Sequence, residues 1–107
     1  MADLQWNKDF ALEQTAGDEE LLDELIILFK DSSADDLKQL QAGVGADDAA
    51  AVAAAAHSLK GASASLGIEA ILELAMDMEK DAREGSVSSA RENITEMGEL
   101  LKEIEKL

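Results

Sequence analysis

Apolar residues in this chain recur at steps of three and four over long segments, and they hardly ever alternate one-for-one with polar residues. That period belongs to helices, whose side chains repeat every ~3.6 residues. Strand-favouring aromatics are scarce, with one Trp, two Phe and no Tyr, whereas Ala, Leu, Glu, Asp and Lys are abundant. With no proline present, glycine alone punctuates the pattern, at Gly17, Gly43 and Gly45, Gly67 and Gly85, while Gly61 and Gly98 fall inside it. The expected fold class is all-α.

The spacing predicts a short first helix over residues 7–15, carrying Phe10 and Leu12 with Trp6 just ahead of it. Such a short helix does not hold alone and must lie against something. A second helix is predicted over 18–41, opened by Asp18, Glu19 and Glu20, which suit free N–H groups and the positive end of the helix dipole. Its core stripe reads Leu22, Ile26, Phe29, Ser33, Leu37 and Leu40, widened on one side by Leu21, Leu25 and Leu28. Ile27 falls outside it, among Asp23, Glu24, Lys30 and Asp31, so either the first helix or a partner covers it. A third helix over 47–66 ends at Gly67, and a fourth over 68–83 turns Ile71, Leu72, Ala75, Met78 and Ala82 inward before Gly85. The fifth starts near Ser86 and uses Val87, Ala90, Ile94, Met97, Leu101 and Ile104. Similar lengths and short connections predict an antiparallel up-down-up-down four-helix bundle with a short extra N-terminal helix, one domain over 1–107.

Charge narrows the function. Twenty-four acidic residues against nine basic give a net charge of -15, which argues against nucleic acid and anionic membrane as partners, because phosphate neutralisation needs surplus Lys and Arg. Without cysteine there is neither a disulfide framework nor a thiolate metal site, and a lone histidine makes no histidine metal cluster, so no metal site is expected. No uncharged apolar run approaches the ~18 residues of a membrane span, and no secretory leader pattern opens the chain. The expectation is a cytoplasmic monomer.

One face of the third helix does not read as core. Beside the stripe Val52, Ala56, Leu59, Ser63 and Leu66 lies a second set at helical spacing: Ala50, Ala53, Ala54, His57, Lys60, Gly61 and Ala64. It sets one imidazole and one ammonium among methyl groups and bare backbone. Gly61 costs about 1 kcal/mol relative to Ala inside a helix, so it either relieves crowding between packed helices or leaves room for another protein's backbone. His57 is either a structural histidine or a nucleophile that takes a phosphoryl group from one carrier and passes it to another. Lys60, one turn on, can steady such a group, although a unit charge pair at ~4 Å yields only ~1 kcal/mol in water. Counting ten residues down to Gly67 and about ten back places Met78 to Lys80 beside His57. Glu79 is thus the carboxylate set to take the Nδ1 proton and leave Nε2 to attack, with Arg83 one turn further at the rim. Both also suit ordinary solvent-facing positions.

The run from Ala56 to Gly67, His57-Ser58-Leu59-Lys60-Gly61 at its centre, resembles the signature of histidine-containing phosphotransfer (HPt) domains of two-component phosphorelays. Gly17-Asp18-Glu19-Glu20-Leu21-Leu22 through Phe29 resembles the family's opening of the second helix, and the likeness covers about residues 10–106. It implies His57 as phosphoacceptor, Lys60 assisting the phosphoryl group, Gly61 giving access and Glu79 at a position often Gln or Glu. Arg83 matches a position that is basic in some members. The implied partner is a response-regulator receiver domain, a histidine kinase or both, with Mg²⁺ on the receiver and no cofactor on this chain. On that reading the protein is a phosphoryl carrier and not an enzyme. Ile27, Ala53, Ala54, Ala64, Gly61 and Arg83 would form the docking surface. The third helix departs from the family in its many alanines before His57. With acidic surfaces on both sides, docking is expected to rest on apolar contact.

Two other readings compete. An acidic helical interaction module without covalent chemistry would leave His57 incidental, and absence of acid-labile label after exposure to phosphorylated receivers would mark it. A carrier of a pantetheine-type group shares only composition, since Ser58 follows His57 in mid-helix rather than an Asp at a helix start.

Overall fold

The computed structural model describes residues 3–107 as five helices: α1 (Lys8–Gln14), α2 (Glu19–Gly45), α3 (Ala49–Leu66), α4 (Glu69–Arg83) and α5 (Ser88–Glu105). Among the described residues the strand content is one isolated bridge between Trp6 and Ile68. Asn7, Asp18 and Asp48 each accept a backbone N–H of the first turn of α1, α2 and α3, and Gly67 closes α3 in the left-handed conformation.

Helices α2 to α5 pack as a ring in which each lies on its neighbours in chain order and α5 closes against α2. The short connections reverse the chain each time, giving the expected antiparallel bundle. The long axis of 41 Å is about the length of α2, whose 27 residues rise ~1.5 Å each, and the radius of gyration is 13.5 Å. Leu22, Leu40, Leu59, Ile71, Met78, Met97 and Ile104 fill the core.

Helix α1 lies on α3 and α2, and the segment before it straps the α3–α4 turn. Trp6 Nε1 donates to Leu66 O at 2.9 Å, Asn7 N to Gly67 O at 2.8 Å and Ala70 N to Leu4 O at 3.1 Å. A side chain at Gly67 would meet Asn7 O at 2.8 Å, so the strap and the positive φ of +71° both require glycine there.

Several expectations need correction. Helix α2 does not stop at Gln41 but runs through Gly43 to Gly45, with the chain turning at Ala46 and at Asp47, whose φ is +53°. Gly43 is a packing glycine: an added Cβ would lie 2.9 Å from Val52 Cγ2 and 3.2 Å from Val52 N, so its bareness lets α2 and the start of α3 meet closely. Leu21 and Leu28 do not widen the core stripe; both are exposed, Leu28 at the edge of an open groove between α1, α2 and α3. Leu37 and Ile94 are half-buried along the seam between α2 and α5.

Candidate functional site

Helix α3 carries three kinds of surface. Val52, Ala55, Ala56, Leu59, Ser63 and Leu66 are buried against the bundle. Ser58 faces α2, donating to Asp36 Oδ2 at 2.7 Å. The remaining side presents His57, its side chain 62% exposed, with Ala50, Ala54, Gly61 and Ala64 exposed and Ala53 and Lys60 half-buried. A Cβ on Gly61 would meet nothing within 4 Å. Crowding within the bundle therefore does not explain this glycine.

The chemistry of the face is set by Glu79 of α4, whose side chain is only 5% exposed. His57 Nδ1–H donates to Glu79 Oε2 at 2.8 Å, Arg83 donates to the same oxygen from Nη2 at 2.6 Å and from Nε at 3.1 Å, and Lys60 Nζ reaches Oε1 at 2.5 Å. The hydrogen bonds from Lys60 and Arg83 outweigh the opposing effect of burial and, with a smaller contribution from His57, hold the carboxyl down at about 2. An ionised carboxylate only accepts, so the proton on the shared axis belongs to Nδ1 and the neutral ring keeps its lone pair on Nε2. Nε2 has no hydrogen-bond partner among the described residues.

The structure thus brings together His57, Lys60, Glu79, Arg83 and Gly61, with Ala53, Ala54 and Ala64 around them. It does not bring Ile27. That residue is 58% exposed and uncovered by α1, but it lies one heptad before Ala34, on the side of α2 that borders α5, whereas Asp36 and Ser32 mark the side that borders α3. Ile27 thus stands apart from the face of α3 that carries His57. Lys60 shares the face of His57 as expected and has a partner that the spacing did not assign to it, its ammonium sitting on Glu79.

Two features escaped the sequence. Met76, three residues before Glu79 on the same side of α4, is 50% exposed and extends the small-residue face with a flexible apolar side chain. Its position three residues from a site carboxylate was the available signal. Asp36 is buried on α2, its carboxyl raised by burial against the lowering effect of the Ser58 hydrogen bond, and nothing in the helical pattern marked it as the partner of Ser58.

Comparison with known proteins came to a consistent result. The family model described as Hpt domain matches residues 24–107. Among solved structures, the chain is similar to the HPT domain from the Hpt sensor hybrid histidine kinase from Shewanella, with 26% identity and a TM-score of 0.83 over 97% of this chain and 91% of that one. No curated protein matches by sequence.

Proposed function

The chain belongs to the Hpt domain family, which serves histidine phosphotransfer in two-component phosphorelays, and from that premise we propose that His57 is its phosphoacceptor. The observation that carries this assignment is the ring itself: it is the chain's one histidine, exposed, and held through Nδ1 by a buried ionised carboxylate so that Nε2 faces outward. Nε2 attacks the phosphorus of an aspartyl phosphate on a receiver domain, and transfer onward reverses the step. Glu79 fixes the tautomer and the orientation of the ring. Lys60, with Arg83 at the rim, brings positive charge to the phosphoryl oxygens, which on a chain of net charge -15 is otherwise lacking.

Gly61 leaves the attacking side of the ring open, and Ala54, Ala64 and Met76 offer apolar contact to the receiver around it. The Mg²⁺ of the reaction is supplied by the receiver's own acidic pocket on this reading, and the present chain acts as carrier. No helix among the described residues is long and apolar enough to cross a membrane.

The test is direct. His57→Gln, incubated with a phosphorylated receiver, is expected to take up no acid-labile, alkali-stable label while unfolding thermally within a few degrees of the wild type. Undiminished labelling of the variant would remove His57 from the reaction, and absence of label on the wild type across a panel of receivers would favour an interaction module.

A further inference from the structure

The seam between α2 and α5 lies across the bundle from the helix pair that carries His57 and Glu79. It holds three features that neither the core nor the His57 face requires. Helices α2 and α5 pack more loosely than α3 and α4, leaving an open groove of about 490 Å³ with apolar walls of Ala34, Leu37, Ile94 and Leu101. Gly98 belongs to the same wall, in the middle of α5, where only proline is a poorer helix former. A Cβ at Gly98 would meet nothing within 4 Å, so packing inside the chain does not demand that bareness.

Ile27 is the second feature. It is 58% exposed on the side of α2 that borders α5, one heptad or ~10 Å of helical rise before Ala34. A large apolar side chain is thus held out in water beside an apolar hollow.

Charge is the third. The two basic residues of α2, Lys30 and Lys38, stand one turn before and one turn after Ala34, and Lys102 lines the groove with Glu99 and Glu105. Among the described residues none of these five makes an ion pair.

We propose that this seam is the interface of a symmetric homodimer, in which Ile27 of each copy inserts into the α2–α5 groove of the other, beside Gly98. A two-fold contact needs a patch that complements itself, with knob and hollow on one face of the same chain. Ile27 and the groove meet that condition, because a two-fold axis passing between them carries each knob into the opposite hollow. The bare backbone at Gly98 and the single methyl of Ala34 let the isoleucine sit deep.

The rim favours a second copy over other occupants. Lysines of one chain face Glu99 and Glu105 of the other, whereas a surface of acidic residues alone would repel its own copy. The contact lies on α2 and α5, so the His57 face of each copy stays turned outward. The dimer does not depend on what His57 carries.

Sedimentation equilibrium of the full chain tests this from about 10 µM to about 1 mM, in about 0.3 M NaCl to screen the repulsion between two copies of net charge -15. The mass is expected to climb from that of one chain toward that of two and to stop there. Ile27→Ser removes the knob without adding charge, and Gly98→Gln fills the hollow. Each is expected to weaken association about tenfold or more while the thermal midpoint stays within a few degrees of the wild type. Leu28→Ser, on the flank of α2 that borders α1 and α3, is expected to leave association unchanged. Lys102→Gln is expected to weaken it more than Lys80→Gln, which makes the same change of net charge on α4. A single-chain mass throughout, growth past two chains, association undiminished by Ile27→Ser or by Gly98→Gln, or loss of association with Leu28→Ser would each overturn the proposal. Equal effects of Lys102→Gln and Lys80→Gln would overturn the choice of a second copy as the occupant.

Discussion

Nδ1 of His57 and Oε2 of Glu79 stand 2.8 Å apart although 22 residues separate them in the chain. The left-handed Gly67 reverses α3 into α4, and equal rise per residue in both helices returns the chain to the level it left. A single tight turn therefore aligns the ring with the carboxylate that orients it.

Stability should depend on the charge of Glu79 in a predictable pH window. Its folded-state carboxyl is lowered from 4.5 to about 2, so its stabilisation is fully present above the unfolded value and is lost as pH falls through that interval. Between about pH 5 and pH 2 the wild type should lose roughly 1–3 kcal/mol relative to Glu79→Gln, the lower end reflecting the exposure of Lys60 and Arg83. Urea midpoints of the two proteins measured across that range check it. Parallel pH profiles would show that the cluster adds no net stability.

Asp36 should behave in the opposite sense. Burial raises its carboxyl, so in the folded state it binds protons more readily than in the unfolded chain and costs stability as pH rises above the ordinary carboxylate range. Asp36→Asn keeps an oxygen to accept from Ser58 and removes the charge. It is expected to gain on the wild type in thermal midpoint between about pH 4 and pH 7, and an unchanged difference across that range would contradict the assignment.

Two glycines inside helices should respond to alanine with opposite signs. At Gly61 a Cβ meets open space, so Gly61→Ala should stabilise by about 1 kcal/mol through helix propensity alone. At Gly43 the same Cβ presses on Val52 Cγ2 and on backbone atoms of Val52 and Asp48. Gly43→Ala should therefore destabilise, by about 1–2 kcal/mol once propensity offsets part of the overpacking. Denaturant unfolding of the pair settles both.

Docking and chemistry should separate at Met76. Met76→Ser removes the apolar contact at the rim without placing a charge one turn from Glu79, and it should slow transfer from a phosphorylated receiver several-fold. Labelling by phosphoramidate, which needs no docking, should stay at the wild-type rate. Equal transfer from the receiver would place the interface elsewhere.

Much of this was legible in the residues. Core positions on α3 follow from helical period, as do Ile71, Ala75, Met78 and Ala82 on α4, whereas Leu72, expected to face inward, is only half-buried; the residue counting that set Glu79 beside His57 required only two regular helices and one tight turn. Helix α2 was less legible, because a glycine reads as a terminus whether it caps a helix or makes room for a neighbour. Gly43 makes room for Val52, a tertiary fact. Likewise Leu28 and Ile27 look alike in sequence, as leucine and isoleucine on one helix, and only the placing of α3 and α5 around α2 sends them to different sides.

The sequence by itself determined an all-helical bundle, its chain order and a single imidazole on a face of small residues, because apolar period, turn residues and residue identity are local properties. Tertiary packing alone decided that Glu79 is buried, that Lys60 and Arg83 converge on it, and that Gly61 opens to solvent. Burial and charge convergence depend on which helices meet and at what rotation. Helical period fixes the face on which a residue lies and leaves open what stands opposite it.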